Sequence, residues 1–413
     1  MKKQIFLVSL LFCLSGNLIS QTIFQWRGDQ RRGIYPDKSL LKSWPSAGPD
    51  LLWKNENIGN GYGSPVIAND RLFITGEVDN TGYLFAFDLQ GKLIWKSAYG
   101  SEWVVSYPGS RCAPTVVGDQ IYLSSGLGDL ICMNAQNGAI IWSIDMLKQL
   151  HGQFTMFGHA EAPLVDGNMV FLTPGGKDTN VVAMDRFTGK ILWVCGGKGE
   201  RPGYNSPLMI DLPGRKILVV FTAYSLLGID AKTGELLWTD EQVNTPVAER
   251  KLGNGDTHAN TVWFDNGFIY YIAGDGNGAV KLKLSEDGRS VKQVWRNGKI
   301  DNYDDGFIIL DKYLYSGTSA RKNLKCISTE TGETLDSLRV GTGTMIFADG
   351  MLYYYSERGE VNLVKPEGQK PALISSFKIT AGTKEHFSHP VIHNGVLYIR
   401  HGIALLAYDL RQK

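Results

Sequence analysis

Polar side chains recur at one position of the sequence, three residues before a proline that precedes an apolar run. Tyr62 occupies this position in YGSP, Arg111 in RCAP and Tyr204 in YNSP. His258 occupies it in HANT, where a threonine replaces the proline. Two related segments contribute further polar residues: His159 and Glu161 in GHAEAP, and His386 and His389 in EHFSHP. Because equivalent repeat positions lie at equivalent places in a fold, we expect these side chains to meet.

An arginine beside tyrosine and histidine is the combination that β-elimination on a uronic acid sugar requires. Removal of the C5 proton places charge on the adjacent carboxylate, and a cation stabilises that charge. A histidine or an ionised tyrosine can take the proton, while a tyrosine or histidine can protonate the group leaving C4. In this hypothesis Arg111 binds the carboxylate and Tyr204 is the acid. His159 or His258 is the base, and Tyr62 can exchange roles with Tyr204.

Further polar residues near this position are predicted to bind the rest of an acidic oligosaccharide, sulfated or not, through charge-assisted hydrogen bonds. The residues assigned to this binding are Tyr62, Lys177, Arg201, His386 and His389. Long loops are predicted to wall the site: 97–110, 147–158, 196–203 and 239–257. Such walls favour trimming at a chain end over cutting within a polymer.

The elements that must position these residues come from a repeat. AMDRFTGKILW at 183–193 returns as GIDAKTGELLW at 228–238. The repeat tryptophans are spaced by 42 to 57 residues, at Trp53, Trp95, Trp142, Trp193, Trp238 and Trp295. Segment 64–95 shows one whole unit, in which alternating apolar residues are broken by Gly, Asn and Asp. This pattern predicts four strands joined by tight turns.

A four-stranded sheet of this kind buries its faces by packing against neighbouring copies around an axis. The last unit, 389–410, contains three predicted strands, and the missing fourth is available in PDLLWKN around Trp53. We therefore predict an all-β fold, an eight-bladed β-propeller of four-stranded blades closed by the N-terminal strand. Seven blades are the alternative if one weak unit is misread.

The A-x-D-x-x-T-G-K-x-x-W pattern resembles the repeat of the PQQ-like, or quinoprotein-like, β-propeller family. The resemblance covers essentially the whole chain after the N-terminal segment and implies the propeller fold. That family includes PQQ-dependent dehydrogenases and scaffolds for outer-membrane protein assembly. The repeated tryptophan and glycine are interpreted as structural, since the tryptophan packs between blades and the glycine permits positive φ in the turn.

These family members define two alternatives to elimination. A non-catalytic scaffold requires only an edge or surface that binds partner strands. A PQQ-dependent dehydrogenase requires a stacked quinone and usually a Ca²⁺ held by oxygen ligands. The chain lacks the adjacent cysteine pair of those dehydrogenases, so we expect no cofactor and no metal. In residue types, the predicted rim is similar to propeller-fold polysaccharide lyases and to ulvan-oligosaccharide dehydratase.

Composition excludes some partners. With 48 glycines and 11% aromatic residues in 413, the chain is typical of an all-β protein with many tight turns. Its formal net charge of +1 provides no overall field for nucleic acid or a membrane surface. Four cysteines form no CxxC pair and are expected to be small buried hydrophobes, with a disulfide left open: Cys112, Cys132, Cys195 and Cys326.

The N-terminus has the pattern of a secretory signal peptide. Lys2 and Lys3 precede the apolar run 5–14, and small or polar residues follow at 16–20. This run is short for a membrane span. We therefore predict a signal peptide at 1–20 and a single β-propeller domain at 21–413. The protein is expected to be a monomer, periplasmic or secreted, that acts on an acidic oligosaccharide.

Overall fold

Eight sheets follow one another along the chain and form the blades of a ring. The structure is a computed structural model that describes residues 22–303, 306–319 and 322–412. The all-β, eight-bladed prediction is confirmed, and the seven-bladed alternative is wrong. The predicted signal peptide, residues 1–20, lies outside the described residues.

Three strands precede the first blade: β1 (Ile23–Phe24), β2 (Ile34–Tyr35) and β3 (Leu51–Asn55). Blade 1 contains β4 (Val66–Ala68), β5 (Arg71–Val78), β6 (Thr81–Asp88) and β7 (Leu93–Ser101). Blade 2 contains β8 (Thr115–Val117), β9 (Gln120–Ser124), β10 (Asp129–Asn134) and β11 (Ile140–Asp145). Blade 3 contains β12 (Leu164–Asp166), β13 (Met169–Leu172), β14 (Val181–Asp185) and β15 (Ile191–Cys195).

Blade 4 contains β16 (Leu208–Leu212), β17 (Arg215–Phe221), β18 (Ser225–Asp230) and β19 (Leu236–Glu241). Blade 5 contains β20 (Trp263–Asp265), β21 (Phe268–Ala273), β22 (Gly278–Leu284) and β23 (Val291–Asn297). Blade 6 contains β24 (Phe307–Leu310), β25 (Tyr313–Thr318), β26 (Asn323–Ser328) and β27 (Thr334–Leu338). Blade 7 contains β28 (Gly343–Ala348), β29 (Met351–Ser356), β30 (Glu360–Glu367) and β31 (Lys370–Lys378). Blade 8 contains β32 (Val391–His393), β33 (Val396–His401) and β34 (Ala404–Asp409).

Helical structure in the described residues is confined to the α-helix α1 (Met146–Gln149) and to 3₁₀ turns at Asp29–Arg31 and Val247–Glu249. No helix in this part of the chain has the length and apolar character needed to cross a membrane.

The repeated tryptophan and glycine join blades at five junctions of the ring, whereas Trp238 packs on Gly228 of its own blade. The Trp53 indole donates a hydrogen bond to the Leu89 carbonyl of blade 1 at 2.9 Å. A methyl group added at Gly91, whose φ is +82°, would come within 2.6 Å of the Trp53 ring. Trp193 repeats both contacts in blade 4, with the Ala231 carbonyl and with Gly234. The repeat therefore encodes a contact between blades, and only glycine fits beneath the indole.

The ring is closed by the N-terminal strand, as predicted. β3 pairs antiparallel with β34, in a register that places Trp53 opposite Ala407 and Asn55 opposite Leu405. Blade 8 thus contains strands from both ends of the described chain. This pairing leaves the ring without an open seam between its first and last units.

Residues 22–35 add a feature that the repeat did not predict. β1 pairs antiparallel with β8, while β2 pairs parallel with β28 on the other side of the ring. Between them, Arg31 donates to the carbonyls of Ala162 and Pro163, each at 3.0 Å. Since β8 and β28 are the innermost strands of blades 2 and 7, this segment crosses the axis of the propeller and plugs it.

The cysteine prediction is confirmed for the four cysteines in the described residues. Cys112, Cys132, Cys195 and Cys326 are buried, and no disulfide joins them. Burial raises the pKa of the Cys132 and Cys112 thiols to about 12, so both stay protonated at neutral pH. They act as small apolar groups in the core.

Ile58, three residues after the ring-closing strand β3, packs closely against blade 1, and this contact provides a test of the ring closure. A methyl group at Gly76 of β5 would lie 1.7 Å from the Ile58 carbonyl oxygen. We expect Gly76→Ala to lower the free energy of unfolding by about 1–3 kcal/mol, measured by denaturant titration. Gly196→Ala is the matched control, because the nearest atoms lie 3.5 Å from the added methyl. Equal stability of the two variants would contradict the close packing at the closure.

Candidate functional site

A cavity of about 620 Å³ lies at one end of the axis. Most of the residues that line it belong to the segments between successive blades. Asp275, Ser319 and Glu357 come from turns within blades 5, 6 and 7, and Trp26 of the N-terminal plug contributes to the wall. The lining residues on the segments that enter blades 1 to 4 are Tyr62, Ser64, Tyr107, Arg111, Ala113, Phe157, Ala160, Ala162, Tyr204 and Ser206. Those on the opposite half are Gly253, Thr257, Ala259, Asp275, Tyr303, Ser319, Glu357, Phe387 and His389.

Alternate residues of each entering segment face the cavity. In YGSP these are Tyr62 and Ser64, and in RCAP they are Arg111 and Ala113. YNSP follows the same rule with Tyr204. The residues one and three before the proline therefore face the axis, because side chains of an extended segment alternate between two sides. The structure brings Tyr62, Arg111 and Tyr204 together, as the sequence predicts.

The same alternation turns two predicted histidines away from the cavity. In GHAEAP the cavity-facing residues are Ala160 and Ala162, so His159 and Glu161 point to the other side and are buried. In EHFSHP, Phe387 and His389 face the cavity and His386 does not. Of these predicted histidines, His389 alone reaches the lining.

His258 is displaced as well, because threonine is not the structural equivalent of proline in HANT. Thr257 and Ala259 face the cavity. In the other segments the cavity-facing residues lie one and three positions before the proline, so Asn260 occupies the position equivalent to that proline. His258 is therefore fully buried, and its Nε2 lies 3.0 Å from the Ala223 carbonyl oxygen. Burial lowers its pKa. The structure does not bring this predicted base to the cavity.

Arg111 is held against the wall by its own loop. Its guanidinium donates to the carbonyls of Gly109 at 2.6 Å, Ser106 at 2.7 Å and Tyr107 at 2.8 Å. The guanidinium carbon lies 5.8 Å from the centre of the Tyr62 ring, within cation–π range. No carboxylate in the described residues lies within ion-pair distance of it, so its charge is available to a ligand.

Two tyrosine hydroxyls of the cavity already have partners. The Tyr62 hydroxyl donates to Glu385 Oε2 at 2.7 Å. Burial, and to a smaller extent this carboxylate, raise the Tyr62 pKa above its usual range. The Tyr204 oxygen accepts the backbone N–H groups of Met156 at 3.1 Å and Phe157 at 3.3 Å. Burial raises the Tyr204 pKa to about 12. Both hydroxyls therefore remain protonated at neutral pH.

Aromatic rings form a continuous arc on one side of the cavity. Neighbouring ring centres lie 5.7 to 6.0 Å apart along the series Tyr62, Phe387, Tyr107, Phe157 and Tyr204. The arc joins segments that enter five different blades. It lines this side of the cavity with aromatic rings.

His389 and Trp26 connect the cavity to the plug. Nδ1 of His389 lies 2.9 Å from Arg27 Nη1, and its ring meets Trp26 edge-on at 5.0 Å. Trp26 and Phe387 were missed by sequence reasoning, as were Asp275 and Tyr303. A tryptophan outside the repeat spacing, followed by Arg27 in QWRGDQRRG, was the available signal for the plug.

The other predicted binding residues lie apart from the axial cavity. Arg201 forms an ion pair with Asp256 at 2.8 Å. Lys177 is exposed beside an open groove formed with loop 196–199. His386 stacks on His401 with ring centres 3.7 Å apart, and its Nδ1 lies 2.5 Å from the Tyr355 hydroxyl. Burial, with a smaller effect of His401, lowers the His386 pKa to about 4.

A calcium-held quinone does not fit the lining. Ca²⁺ takes about six to eight oxygen ligands. The carboxylates among the lining residues are Asp275 and Glu357, and Asp275 already accepts the Thr257 N–H and the Tyr303 O–H, both at 3.2 Å. In the described ranges, no group of three or more His, Cys, Asp or Glu side chains has the geometry of a metal site. The described lining residues therefore do not supply the ligands that this cofactor requires.

Eight repeat-built blades around a lined axial cavity define a β-propeller of the PQQ-like class. A family model described as outer membrane protein assembly factor BamB matches residues 80–337, more than half of the chain. The chain belongs to this family.

Individual relatives match over shorter stretches. BamB of Shewanella oneidensis is 27% identical over 179 residues, 42% of this chain and 41% of that protein. A polyvinylalcohol dehydrogenase of Sphingopyxis is 27% identical over 177 residues, 37% of this chain and 26% of that protein. This chain thus covers less than half the length of each. The crystal structure of BamB from Moraxella catarrhalis shares the fold, with a TM-score of 0.62, 13% identity, and coverage of 87% of this chain and 99% of that one.

The burial of His159 predicts a pH dependence of stability. Burial lowers its pKa from 6.5 to about 4, and its Nε2 has no hydrogen-bond partner in the described residues. Between these pH values the unfolded chain binds a proton that the folded chain does not. Stability should therefore fall as pH decreases from 6.5 to 4, with this histidine contributing up to about 1.4 kcal/mol per pH unit.

His159→Gln should reduce that slope in urea titrations at several pH values. His151→Gln replaces an exposed histidine of the neighbouring loop and should leave the slope unchanged. If the two variants change the slope equally, His159 is not held in its neutral form by burial.

Proposed function

We propose that the chain is a non-catalytic binding propeller of the cell envelope that acts as a scaffold for partner polypeptides. The observation that carries this proposal is the apolar surface of the loops around the cavity mouth. Side chains on these loops are exposed although they are large and apolar: Val104, Val105, Phe154, Met156, Val243, Val247 and Leu252. Val105 is 80% exposed and Val247 is 73% exposed.

These side chains belong to loops that contact one another. The Tyr107 ring lies 6.0 Å from the Phe157 ring, which links the loop before blade 2 to the loop before blade 3. A methyl at Gly253 would lie 2.2 Å from Met156 Sδ, which links the latter to the loop before blade 5. We call the exposed apolar residues of these three loops the loop crown. Grouped apolar exposure of this kind is typical of an interaction surface.

The composition of the loop crown favours a polypeptide partner. Valine, leucine, phenylalanine and methionine side chains offer no hydrogen bonds to sugar hydroxyls, whereas aromatic residues and methionine are enriched at protein interfaces. The adaptable Met156 side chain can repack against different partners. Arg111 and the aromatic arc lie directly inside this crown and can bind a side chain that enters the cavity.

Family membership supports the same proposal. The matching family is described as an outer membrane assembly factor, and so is the Shewanella oneidensis relative. Together with the secretory pattern of the N-terminus, this membership supports a location in the cell envelope. The polyvinylalcohol dehydrogenase relative favours redox chemistry, but the lining lacks the oxygen ligands for a calcium-held quinone.

Charged substitutions in the loop crown test the proposal. We expect Val105→Asp and Val247→Asp to weaken binding of a fluorescein-labelled peptide of alternating valine and threonine residues at least about tenfold, because each places a charge in an apolar contact. Fluorescence polarisation measures this affinity. Ile141→Asp is the matched control, since Ile141 is equally apolar but lies on the outer strand β11.

Two results would contradict the proposal. In the first, the crown variants bind the peptide as tightly as the unmodified chain. In the second, Ile141→Asp alone weakens binding, which would assign the peptide to the outer edges of the blades. Thermal unfolding of each variant establishes that it is folded.

β-Elimination on uronate oligosaccharides is the second candidate function. The observation that favours it is the convergence of Arg111, Tyr62 and Tyr204 on one cavity. Arg111 would bind the carboxylate and Tyr204, protonated at neutral pH, would give its proton to the group leaving C4. Since His159 and His258 are buried, Tyr62 would take the C5 proton after passing its own proton to Glu385, 2.7 Å away.

Ultraviolet absorbance of the conjugated product tests this function. The unmodified chain is expected to raise the absorbance of a uronate oligosaccharide solution, and Arg111→Ala should reduce the rate at least about a hundredfold, because it removes the cation that stabilises the developing charge. Lys177→Ala, outside the cavity, should have no effect. An absence of product across a panel of uronate oligosaccharides would remove this candidate and leave the scaffold proposal intact.

A further inference from the structure

Three arginines are buried directly behind the wall of the axial cavity. Arg400 is fully buried and Arg31 is 1% exposed, while Arg27 is 3% exposed. None of them contacts the solvent as a surface arginine does. Their charges therefore act on the cavity through the protein and are only weakly screened by salt.

Arg400 is bound by main-chain oxygens. Its guanidinium donates to the carbonyls of Gly402, Gly63, Thr75 and Gly59 at 2.7 to 3.2 Å. A methyl at Gly61 would lie 2.2 Å from its Nη2, so Arg400 lies immediately behind the segment that carries Tyr62 and Ser64. The close approach explains the glycine at position 61, whereas a methyl at Gly63 would instead lie 2.5 Å from the Cys112 carbonyl oxygen.

Arg27 and Arg31 lie behind other parts of the wall. Arg27 donates to the carbonyls of Met345 at 2.8 Å and Phe307 at 3.0 Å, and it contacts the lining residue His389. Arg31 donates to the carbonyl of the lining residue Ala162. Main-chain carbonyls satisfy the hydrogen bonds of these guanidinium groups but do not neutralise their charge.

The four guanidinium groups, including Arg111 on the wall, have no carboxylate within ion-pair distance in the described residues. Burial lowers the pKa of Arg27 and Arg31 to about 10 and that of Arg400 to about 9, which leaves all three charged at neutral pH. The acid that acts most strongly on Arg31 is Glu161, and burial raises its pKa to about 8, so it is mostly neutral. The acidic lining residues are Asp275 and Glu357.

We infer that the axial cavity is a binding site for an organic anion that has a flat carbon face, such as a uronate sugar or an aromatic acid. The four guanidinium groups favour the negative charge, and the aromatic arc from Tyr62 to Tyr204 contacts the flat face. A volume of about 620 Å³ lies in the usual range for a small-molecule site. Arg111 donates through Nη1 and Nη2 to the loop, and its Nε–H is directed to no partner in the described residues.

This site does not depend on the proposed scaffold function or on elimination chemistry. The loop crown and the cavity are separate surfaces, so substitutions in one can leave the other unchanged. A polypeptide bound at the crown would cover the ligand, whereas a catalytic reaction would convert it. The inference concerns binding alone and is tested by binding alone.

Isothermal titration of the full chain with three probes tests the inference. The probes are a trisaccharide of galacturonate, the neutral trisaccharide of galactose with the same linkage, and 2-naphthoate. We expect at least one anionic probe to bind about ten or more times tighter than the neutral trisaccharide. Quenching of tryptophan fluorescence should accompany binding, because Trp26 lines the cavity. Tighter binding of the galacturonate assigns the site to acidic saccharides, and tighter binding of naphthoate assigns it to aromatic acids.

Arg111→Gln should weaken the anionic probe at least about tenfold without changing the neutral one. Lys177→Gln removes an exposed cation outside the cavity and should leave both affinities unchanged. Val247→Asp, a crown variant on a loop that makes no hydrogen bond to Arg111, should also leave anion binding unchanged, which separates this result from the scaffold test. The inference would be overturned if neither anionic probe binds tighter than the neutral trisaccharide, if no probe binds, or if Arg111→Gln and Lys177→Gln cause equal losses.

Discussion

The ring is held together by one contact, between a tryptophan on the outer strand of a blade and the glycine turn of the next. It occurs beneath Gly91, Gly138, Gly189, Gly234 and Gly332. The indole buries a large apolar area and, in most of these copies, also donates a hydrogen bond to a carbonyl of that turn. The turn requires a residue with positive φ, and the tryptophan indole requires a residue without a side chain beneath it. A single glycine meets both requirements. The blades at these five junctions are thereby held at a fixed angle to each other.

Closing the ring creates a second requirement at the axis. Inner strands and their entering segments direct carbonyl oxygens toward a narrow channel, and buried carbonyls need donors. The plug formed by residues 22–35 supplies them through Arg27 and Arg31, while Arg400 supplies them from blade 8. Guanidinium groups suit this purpose because one side chain offers five N–H groups in fixed directions. The same arginines leave positive charge behind the cavity wall, so stability of the axis and the electrostatics of the cavity have a common origin.

The arrangement of the mouth fits the proposed binding function. Of the residues that could remove a proton, His159 and His258 are buried, and Tyr62 is protonated beside Glu385. The mouth instead combines an aromatic arc, a positioned cation and exposed apolar loop side chains. An aromatic inner wall with an apolar outer rim favours recognition of two different partners, a small anion inside and a polypeptide above it. A propeller serves this arrangement well because its loops can vary without disturbing the contacts between blades.

Local patterns in the chain were enough to predict the number of blades, the closure through Trp53, and the arrival of Tyr62, Arg111 and Tyr204 at one cavity. The tryptophan and glycine recur at nearly constant spacing, and the proline marks which side of each extended segment faces the axis. Other features became evident only in the folded chain. In HANT no proline marks the register, so a difference of one residue put His258 on the buried side, and the alternation of side chains turned His159 and His386 away from the cavity. The plug could not be predicted either, because Arg27 and Arg31 bind main-chain carbonyls more than a hundred residues away, and main-chain carbonyls carry no signature in a sequence.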